Sequence, residues 1–370
     1  MSLVLENISK VSNGQTEIYQ TDLELKSGTM NVLLGPTLAG KTTLMRLMAG
    51  LDKPSTGKVI WGGKDVTGVR VQDRGVAMVY QQFINYPSLS VYNNIASPMR
   101  LLGKSSNEID AAVKKAADLM KLTEFLERKP LELSGGQQQR CALARALVKD
   151  AGLVLLDEPL ANLDYKLREE LRAEIPKIFE EAGSIFVYAT TEPEEALLLG
   201  GNTATMFEGR ITQFDDTPSV YRKPVNMTTA RVFSDPPMNF LEVEKRGDRL
   251  VFGSENGVEA SGSFTGLSDG EYIAGFRPNH LSIERRASTD LEFAGHLNVT
   301  EITGSETFIH LDHQNESWVG LIHGVKNLEI NSGLNVYLDP SHMYVFARDG
   351  SSVAPASYTS TGTSTGLGGI

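Results

Sequence analysis

A short glycine-bounded segment constrains the fold of this chain more than any other feature. Gly35 and Gly40 enclose four residues and are followed by Lys41 and Thr42, which is the spacing of a phosphate-binding loop. Mostly apolar residues precede the segment, and apolar residues at helical spacing follow it: Leu44, Leu47, Met48 and Leu51. The pattern therefore predicts a buried strand, a tight loop and the first turns of a helix.

The chemistry of phosphate binding accounts for the residue types in this loop. Consecutive backbone N–H groups form a positive concavity, and glycine at both corners lets the backbone approach a phosphate without a Cβ clash. We expect Lys41 to reach the β- and γ-phosphates and the Thr42 hydroxyl to bind Mg²⁺. The residues predicted to bind ATP here are Gly35, Pro36, Thr37, Leu38, Ala39, Gly40, Lys41, Thr42 and Thr43.

Two carboxylates follow the next strongly apolar strand, Leu153 to Leu156. Phosphoryl transfer to water needs one group to hold Mg²⁺ or its water and another to polarise the attacking water. Asp157 and Glu158 fit these roles in that order. A carboxylate pair at a strand end also fits a solvated surface, so the assignment depends on the upstream Lys41 and Thr42. Gln81 similarly ends a predicted strand, where ligands bind in α/β sheets.

Composition limits the partners and the environment of the chain. Its 370 residues carry a formal net charge of -11, which argues against a nucleic-acid partner. Cys141 is the only cysteine, so an internal disulfide is excluded and a reducing cytoplasm is expected. The first residues lack the pattern of a signal peptide, and no apolar run is long enough for a membrane span.

The order of the segments predicts an α/β chain with a second, β-rich domain. Residues 1–235 are expected to form the nucleotide-binding domain, with a helical subdomain at about 88–150 that contains a Ser105–Glu108 capping box. Short turn-separated strands over 236–350 favour a small barrel or sandwich. The Ser/Thr/Gly-rich stretch 351–370 is expected to be disordered.

Five motifs in a fixed order resemble those of ABC transporter ATP-binding subunits. They are Gly35 to Thr42, Gln81, Ser134 to Gln138, Asp157-Glu158 and Asn162 to Asp164. They are similar to that family's Walker A, Q-loop, signature, Walker B with catalytic glutamate, and D-loop. The resemblance implies a P-loop fold that hydrolyses Mg²⁺-ATP, with Glu158 and Gln81 at the reacting phosphate and Gln81 also close to the metal.

The same resemblance implies an assembly. Two ATP-binding subunits would pair head to tail, so that each ATP lies between the Walker A of one subunit and the signature of the other. The residues expected to contact the nucleotide held by the partner subunit are Ser134, Gly135, Gly136, Gln137 and Asp164. Two inner-membrane permease subunits and a periplasmic solute-binding protein would complete the transporter. The chain would then lie at the cytoplasmic face of a bacterial inner membrane.

The second domain resembles the regulatory domain of carbohydrate-importer ATPases, which is of the OB/MOP type. The segments that carry this resemblance are Pro237 to Leu241, Gly275 to Pro278 and Gly304 to Thr307. It implies an importer for a carbohydrate or a polyol.

One departure from the family pattern concerns catalysis. Thr191 stands where the family has a histidine that contacts the γ-phosphate, and all six histidines of the chain follow residue 279. Threonine donates a hydrogen bond but is short and neutral. Thr191 either substitutes adequately as a catalytic residue, or the chain works in a pair whose non-identical second subunit carries the histidine.

Three segments narrow the resemblance further. Gly35 to Thr43, Tyr80 to Pro87 and Ala189 to Pro193 resemble one of the paired ATP-binding subunits of bacterial glycerol importers. A sugar importer, a glycerol-3-phosphate importer and an ATP-holding regulatory subunit with little hydrolysis of its own remain alternatives. A soluble ABC ATPase that acts on DNA or ribosomes is disfavoured by the acidic charge and by the second domain.

Overall fold

A computed structural model describes residues 2–149, 151–161, 163–253, 258–314 and 316–359, with the side chains of residues 176–182 left undescribed. The chain divides into two compact units, Met1–Thr217 and Pro218–Ile370. The sequence places the boundary at 235–236 instead, because no change in composition marks residue 217. The strand-rich pattern starts only after two short helices that belong mainly to the second unit.

The described residues of the first unit form ten strands, which belong to two sheets. The strands are β1 (Ser2–Ser12), β2 (Gln15–Lys26), β3 (Met30–Leu34), β4 (Thr56–Trp61), β5 (Lys64–Asp65), β6 (Val76–Val79), β7 (Leu153–Asp157), β8 (Ile185–Thr190), β9 (Asn202–Phe207) and β10 (Arg210–Asp216). The antiparallel sheet has the order β2-β1-β4-β5. Its β1–β2 pair is the hairpin that the Asn13-Gly14 turn predicts.

The second sheet of this unit positions the site. Its order is β10-β9-β3-β8-β7-β6, and β3, β6, β7, β8 and β9 run parallel. All residues of β7 and β8 are buried, as expected for apolar strands covered on both faces. The carboxyl ends of β3, β8, β7 and β6 therefore meet at one edge, where a parallel sheet binds its ligands.

The helices are α1 (Lys41–Ala49), α2 (Val91–Leu101), α3 (Ser106–Leu119), α4 (Gly135–Leu147), α5 (Tyr165–Ala182), α6 (Pro193–Leu199), α7 (Thr217–Arg222) and α8 (Met227–Val232). The predicted helical subdomain corresponds to α2, α3 and α4. The predicted capping box is present, since the Ser105 hydroxyl accepts from the Glu108 amide and the Glu108 carboxylate accepts from the Ser105 amide. Among the described residues, no helix combines the length and the apolar character needed to cross a membrane.

The second unit is mainly β-structure, as predicted. Its strands are β11 (Asn239–Arg246), β12 (Arg249–Val251), β13 (Val258–Glu259), β14 (Gly270–Phe276), β15 (Leu281–Ser282), β16 (Leu291–Ile302), β17 (Glu306–His313), β18 (Glu316–His323), β19 (Ser332–Leu338), β20 (Tyr344–Phe346) and β21 (Ser352–Ala354). They form two sheets, β13-β12-β11-β14-β20-β21 and β15-β19-β16-β17-β18. The rings of Phe276, Phe293 and Trp318 pack edge to face in the shared core.

The expectation of disorder over 351–370 is wrong for its first part. β21 pairs with β20, and a short 3₁₀ turn follows at Ser357–Thr359. The Ser/Thr/Gly composition concealed two buried or half-buried anchors, Ala356 and Tyr358, which pack with Tyr344. Residues 360–370, on which the rest of the expectation falls, lie outside the described residues.

Candidate functional site

The phosphate-loop glycines occupy positions that no other residue fits. A Cβ on Gly35 would lie 2.3 Å from the carbonyl oxygen of Met206, and one on Gly40 would lie 2.8 Å from Cδ1 of Ile18. Gly40 also has a φ of 98° and precedes the first residue of α1, a backbone conformation that favours glycine. Its neighbour Ala39 is buried. The loop is thus packed tightly on its inner side and has the shape of a phosphate cradle.

Lys41 lies folded over this loop. Its side chain is only 5% exposed, and Nζ donates to the carbonyl oxygens of Gly35 at 2.7 Å and Pro36 at 3.1 Å. Nζ is also 3.6 Å from Oε1 of Glu158. Burial lowers the pKa of Lys41, and the neighbouring carboxylates of Glu158 and Asp157 oppose that shift. A buried ammonium held this way is a preformed partner for phosphate oxygens.

The predicted metal ligands contact each other directly. Oγ1 of Thr42, at the start of α1, donates to Oδ2 of Asp157, at the end of β7, at 2.7 Å. Asp157 is 3% exposed. Its burial raises the pKa of the carboxyl group, while the hydrogen bond from Thr42 opposes the shift. A hydroxyl and a carboxylate oxygen brought together are the donor set that Mg²⁺ prefers, so the residues fit the ion.

Glu158 has an unusual backbone. Its φ is 47°, which is the left-handed region that a non-glycine residue enters only at a cost in free energy. Its amide donates to the carbonyl oxygen of Ala189 at 3.0 Å, and its Oε2 accepts from Nε2 of Gln81 at 2.9 Å. Glu158 is therefore held between β8, Gln81 and Lys41, with its carboxylate directed toward the phosphate loop.

Thr191 follows β8 directly, at the same edge of the sheet. The preceding residue, Thr190, is paired with Leu34 of β3, and its carbonyl oxygen accepts from the amide of Gly35 at 3.2 Å. Thr191 itself is exposed. The structure therefore places Thr191 beside the beginning of the phosphate loop.

The signature residues and Asp164 have a different local role. The Ser134 hydroxyl accepts from the Gln137 amide at 3.3 Å, and Oε1 of Gln137 accepts from the Ser134 amide at 2.9 Å, so the pair caps α4. Asp164 caps α5 by accepting from the Leu167 amide at 3.1 Å. Ser134, Gly135 and Asp164 are exposed. Asn162, in the predicted D-loop, lies outside the described residues.

The structure thus joins some of the predicted residues into one contact network and leaves others apart. Lys41, Thr42, Gln81, Asp157 and Glu158 contact one another, whereas the described contacts of Ser134, Gln137 and Asp164 are with their own helices. Sequence reasoning missed Thr190, which joins the phosphate loop to α6. Its signal was weak because a polar residue at a strand end has no fixed spacing to a motif.

The sequence also did not predict the conformation of Leu38. It has a φ of 68° and its side chain is 94% exposed at the tip of the loop.

Taken together, the parallel sheet, the glycine-bounded loop and the Lys41–Asp157–Glu158 arrangement define a P-loop protein built to hold and hydrolyse a nucleoside triphosphate with Mg²⁺. The family model described as ABC transporter matches residues 18–161. The chain is 36% identical, over 359 residues, to the trehalose/maltose import ATP-binding protein of Thermococcus litoralis. That alignment covers 92% of this chain and 96% of that protein.

Two further comparisons agree. The chain is 38% identical to the sn-glycerol-3-phosphate import ATP-binding protein of Rhodopseudomonas palustris over 312 residues, which cover 84% of this chain and 82% of that protein. A dimeric post-hydrolysis ATP-binding cassette, bound to ADP and Pi, matches with a TM-score of 0.54 and 26% identity. It covers 58% of this chain and 98% of that chain. The chain belongs to the ABC transporter family, as an import ATP-binding subunit, and it is an ATPase that binds ATP with Mg²⁺.

Proposed function

We propose that this subunit couples ATP hydrolysis to the uptake of a carbohydrate or polyol, with glycerol as the solute, as one of two non-identical ATP-binding subunits. Two inner-membrane permeases and a periplasmic solute-binding protein would complete the transporter, and the chain would lie at the cytoplasmic face of the inner membrane. The relatives named above import trehalose/maltose and sn-glycerol-3-phosphate, which supports the solute class. The motif segments that resemble glycerol importers favour glycerol within it.

The site residues have separable roles in this proposal. The loop amides and Lys41 orient the phosphates, and Thr42 and Asp157 hold Mg²⁺, which neutralises charge that develops on the phosphoryl oxygens. Glu158 orients the attacking water and accepts a proton from it. Gln81 holds the Glu158 carboxylate through the bond of 2.9 Å. Ser134, Gly135, Gly136 and Gln137 would face the nucleotide bound by the second subunit.

The observation that carries the proposed asymmetry is Thr191 at the carboxyl end of β8, beside Gly35. A threonine hydroxyl sits on Cβ and reaches less far than an imidazole nitrogen. A hydrogen-bond donor removed from the γ-phosphate lowers the rate by roughly a factor of a hundred or more. The site built on this phosphate loop would therefore bind ATP but hydrolyse it slowly. The exposed signature of this chain would complete the other site, where the second subunit's histidine supports faster hydrolysis.

Two measurements test the asymmetry. The full chain purified alone should hydrolyse ATP slowly, and Thr191→His should raise kcat by about tenfold or more. Thr191→Ser is the matched control, since it keeps a short hydroxyl, and it should leave kcat nearly unchanged. Rapid, cooperative hydrolysis by the unmodified chain alone would contradict the proposal. No gain in Thr191→His, alone and in the complete transporter, would contradict it as well.

The solute needs a separate experiment. In proteoliposomes that contain the complete transporter, glycerol added with the solute-binding protein should stimulate ATP hydrolysis, whereas maltose and glycerol-3-phosphate should not. Stimulation by one of the other two solutes alone would replace glycerol with that solute. The importer class would be unaffected by that result.

A further inference from the structure

A cluster of charged side chains outside the five motifs lies next to Thr191. It consists of Arg168 and Arg172 on α5, Glu192 just after Thr191, and Glu195 on α6; Glu169 on α5 also bonds to Arg172 but is not part of the cluster. Nη2 of Arg172 is 2.6 Å from Oε2 of Glu192 and 3.1 Å from Oε1 of Glu195, while its Nη1 is 2.7 Å from Oε1 of Glu169. One guanidinium therefore bridges three carboxylates on three segments of the chain.

The inner carboxylate of the cluster is fully engaged. Glu195 is 4% exposed, and its Oε2 accepts from the hydroxyls of Thr190 at 2.5 Å and Tyr188 at 3.1 Å. Burial, and next the adjacent carboxylate, raises the pKa of Tyr188 well above its usual range, so Tyr188 remains a donor. A buried carboxylate is stable only with such partners. Glu195 thereby ties α6 to the last residue of β8.

The cluster reaches two segments that border the reacting phosphate. On one side, the amide of Glu192 donates to Oγ1 of Thr190 at 3.0 Å, and the carbonyl oxygen of Thr190 accepts from Gly35 at 3.2 Å. Thr191 lies between the two residues of the first bond. Both neighbours of Thr191 are therefore fixed, because Thr190 bonds to Glu195 and Glu192 bonds to Arg172.

On the other side, Arg168 connects the cluster to the turn after the catalytic glutamate. Its Nη1 is 3.2 Å from Oε1 of Glu192, and its Nη2 donates to the carbonyl oxygen of Ala161 at 3.2 Å. The amide of Ala161 donates in turn to the carbonyl oxygen of Glu158 at 3.4 Å. An unbroken series of contacts thus runs from Glu158 through Ala161, Arg168 and Glu192 to Thr190 and Thr191, the Thr191 segment.

We propose that this cluster is a positioning element, in which Arg172 and Glu192 hold the Thr191 segment and the Ala161 turn in one fixed arrangement for ATP hydrolysis. Neither residue would touch the nucleotide. The cluster would set the distance between Thr191 and Glu158, because Arg168 bonds to the turn that follows Glu158 and Glu192 bonds to the residue before Thr191. Small displacements of catalytic groups reduce rates strongly, so a loosened cluster would lower kcat and leave nucleotide binding unchanged.

The chain offers a matched pair of variants. Glu192 and Glu169 have side chains of equal exposure, 41%, and each bonds to Arg172 at a nearly equal distance, but only Glu192 contacts the Thr191 segment. We expect Glu192→Gln to accelerate amide hydrogen exchange by about tenfold in peptides covering both Thr191 and Ala161. Glu169→Gln should change neither peptide, and Glu192→Asp should restore most of the protection.

Kinetics supply the second readout. In the slow hydrolysis by the full chain alone, Glu192→Gln should lower kcat by about tenfold with KM for Mg²⁺-ATP within about twofold, and Glu169→Gln should change neither. Equal effects of the two variants, or exchange that changes near Thr191 but not near Ala161, would overturn the proposal. It depends on the proposed placement of Thr191 at the γ-phosphate. If Thr191→His fails to raise kcat while Glu192→Gln behaves as expected, the asymmetry is wrong and the cluster stands.

Discussion

The two units of the chain bury polar side chains for different purposes. In the first unit, buried charged groups face other charged groups at the carboxyl edge of the parallel sheet: Lys41 and Asp157 in the phosphate site, and Arg172 and Glu195 behind it. In the second unit, the buried Arg277 donates to the carbonyl oxygens of Phe233 and Tyr221. Asn239 likewise exchanges hydrogen bonds with the backbone of Val319.

The difference shows what each unit requires from its interior. A buried charge that faces another charge is a poor source of stability, because desolvation offsets the attraction, so its presence points to chemistry. A buried donor that faces a carbonyl group satisfies the backbone and joins neighbouring elements. Substitutions of these charged groups in the first unit should therefore affect ligand binding or catalysis, and substitutions of these donors in the second unit should affect stability.

The largest effect is expected for Trp318→Ala. Trp318 is 1% exposed, its ring packs on Phe276, Phe293 and His313, and its Nε1 donates to the carbonyl oxygen of Phe240 at 3.1 Å. The substitution should lower the free energy of unfolding of the second unit by about 3–5 kcal/mol. Calorimetry measures that transition, and the affinity for Mg²⁺-ATP should stay within about twofold.

The first unit supplies an internal control for this variant. The chain has two tryptophans, and Trp61 on β4 becomes the only one in Trp318→Ala, so its fluorescence reports the first unit alone. Its unfolding midpoint in denaturant should not move. A shift equal to that of the second unit would contradict the division of roles.

The opposite result is expected for Lys41→Ala. This substitution removes the buried ammonium that faces the phosphates and should weaken Mg²⁺-ATP binding by about a hundredfold, as measured by titration calorimetry on the full chain. Lys114→Ala is the control, because Lys114 is 66% exposed and pairs with Asp110 on α3. Equal affinities in the two variants would remove Lys41 from the site.

Patterns local in sequence predicted the fold well. The phosphate loop, the buried strands β7 and β8 and the hairpin β1–β2 all follow from spacing and hydrophobicity within a dozen residues. The boundary between the two units did not follow from such patterns, because the composition of the sequence does not change at helices α7 and α8. The order at the start of the tail did not either, because Ala356 and Tyr358 pack with Tyr344 despite the Ser/Thr/Gly-rich composition.

The site was predictable to the extent that its residues stand in motifs. Gln81 and Glu158 lie 77 positions apart, and each follows the end of a strand, so their contact follows from a shared sheet edge. The Arg172–Glu195 contact follows from no such rule. It requires the relative placement of α5 and α6, which depends on side-chain packing that a single sequence does not specify. Contacts among the motif residues could therefore be predicted from the sequence, but the contacts of the supporting cluster could not.

A smaller loss of stability is expected for Asn239→Ala. Asn239 is 5% exposed, its Nδ2 donates to the Val319 carbonyl oxygen at 2.7 Å, and its Oδ1 accepts from the Val319 amide at 2.9 Å. The substitution leaves both backbone groups unpaired and should lower the free energy of unfolding of the second unit by about 2 kcal/mol. Asn239→Asp keeps the acceptor but buries a carboxylate oxygen against the Val319 carbonyl oxygen, so it should destabilise the second unit at least as much in the same melting experiment.

The smallest effect should be a gain in stability at the phosphate loop. Leu38 has a φ of 68° and is 94% exposed, so Leu38→Gly relieves backbone strain and removes little buried surface. Strain of about 1–2 kcal/mol is partly offset by the greater freedom of glycine in the unfolded chain. The melting temperature of the first unit should rise by about 1–3 °C.

Leu131→Gly provides the matched control for this last variant. Leu131 is similarly exposed, at 84%, but it lies in a 3₁₀ turn with a φ outside the left-handed region. Glycine there gains no relief of strain and should lower the melting temperature of the first unit slightly. A fall in both variants would show that the Leu38 side chain stabilises the free loop. A rise in Leu38→Gly alone would instead add Leu38 to the groups at this edge of the sheet that lower the stability of the first unit.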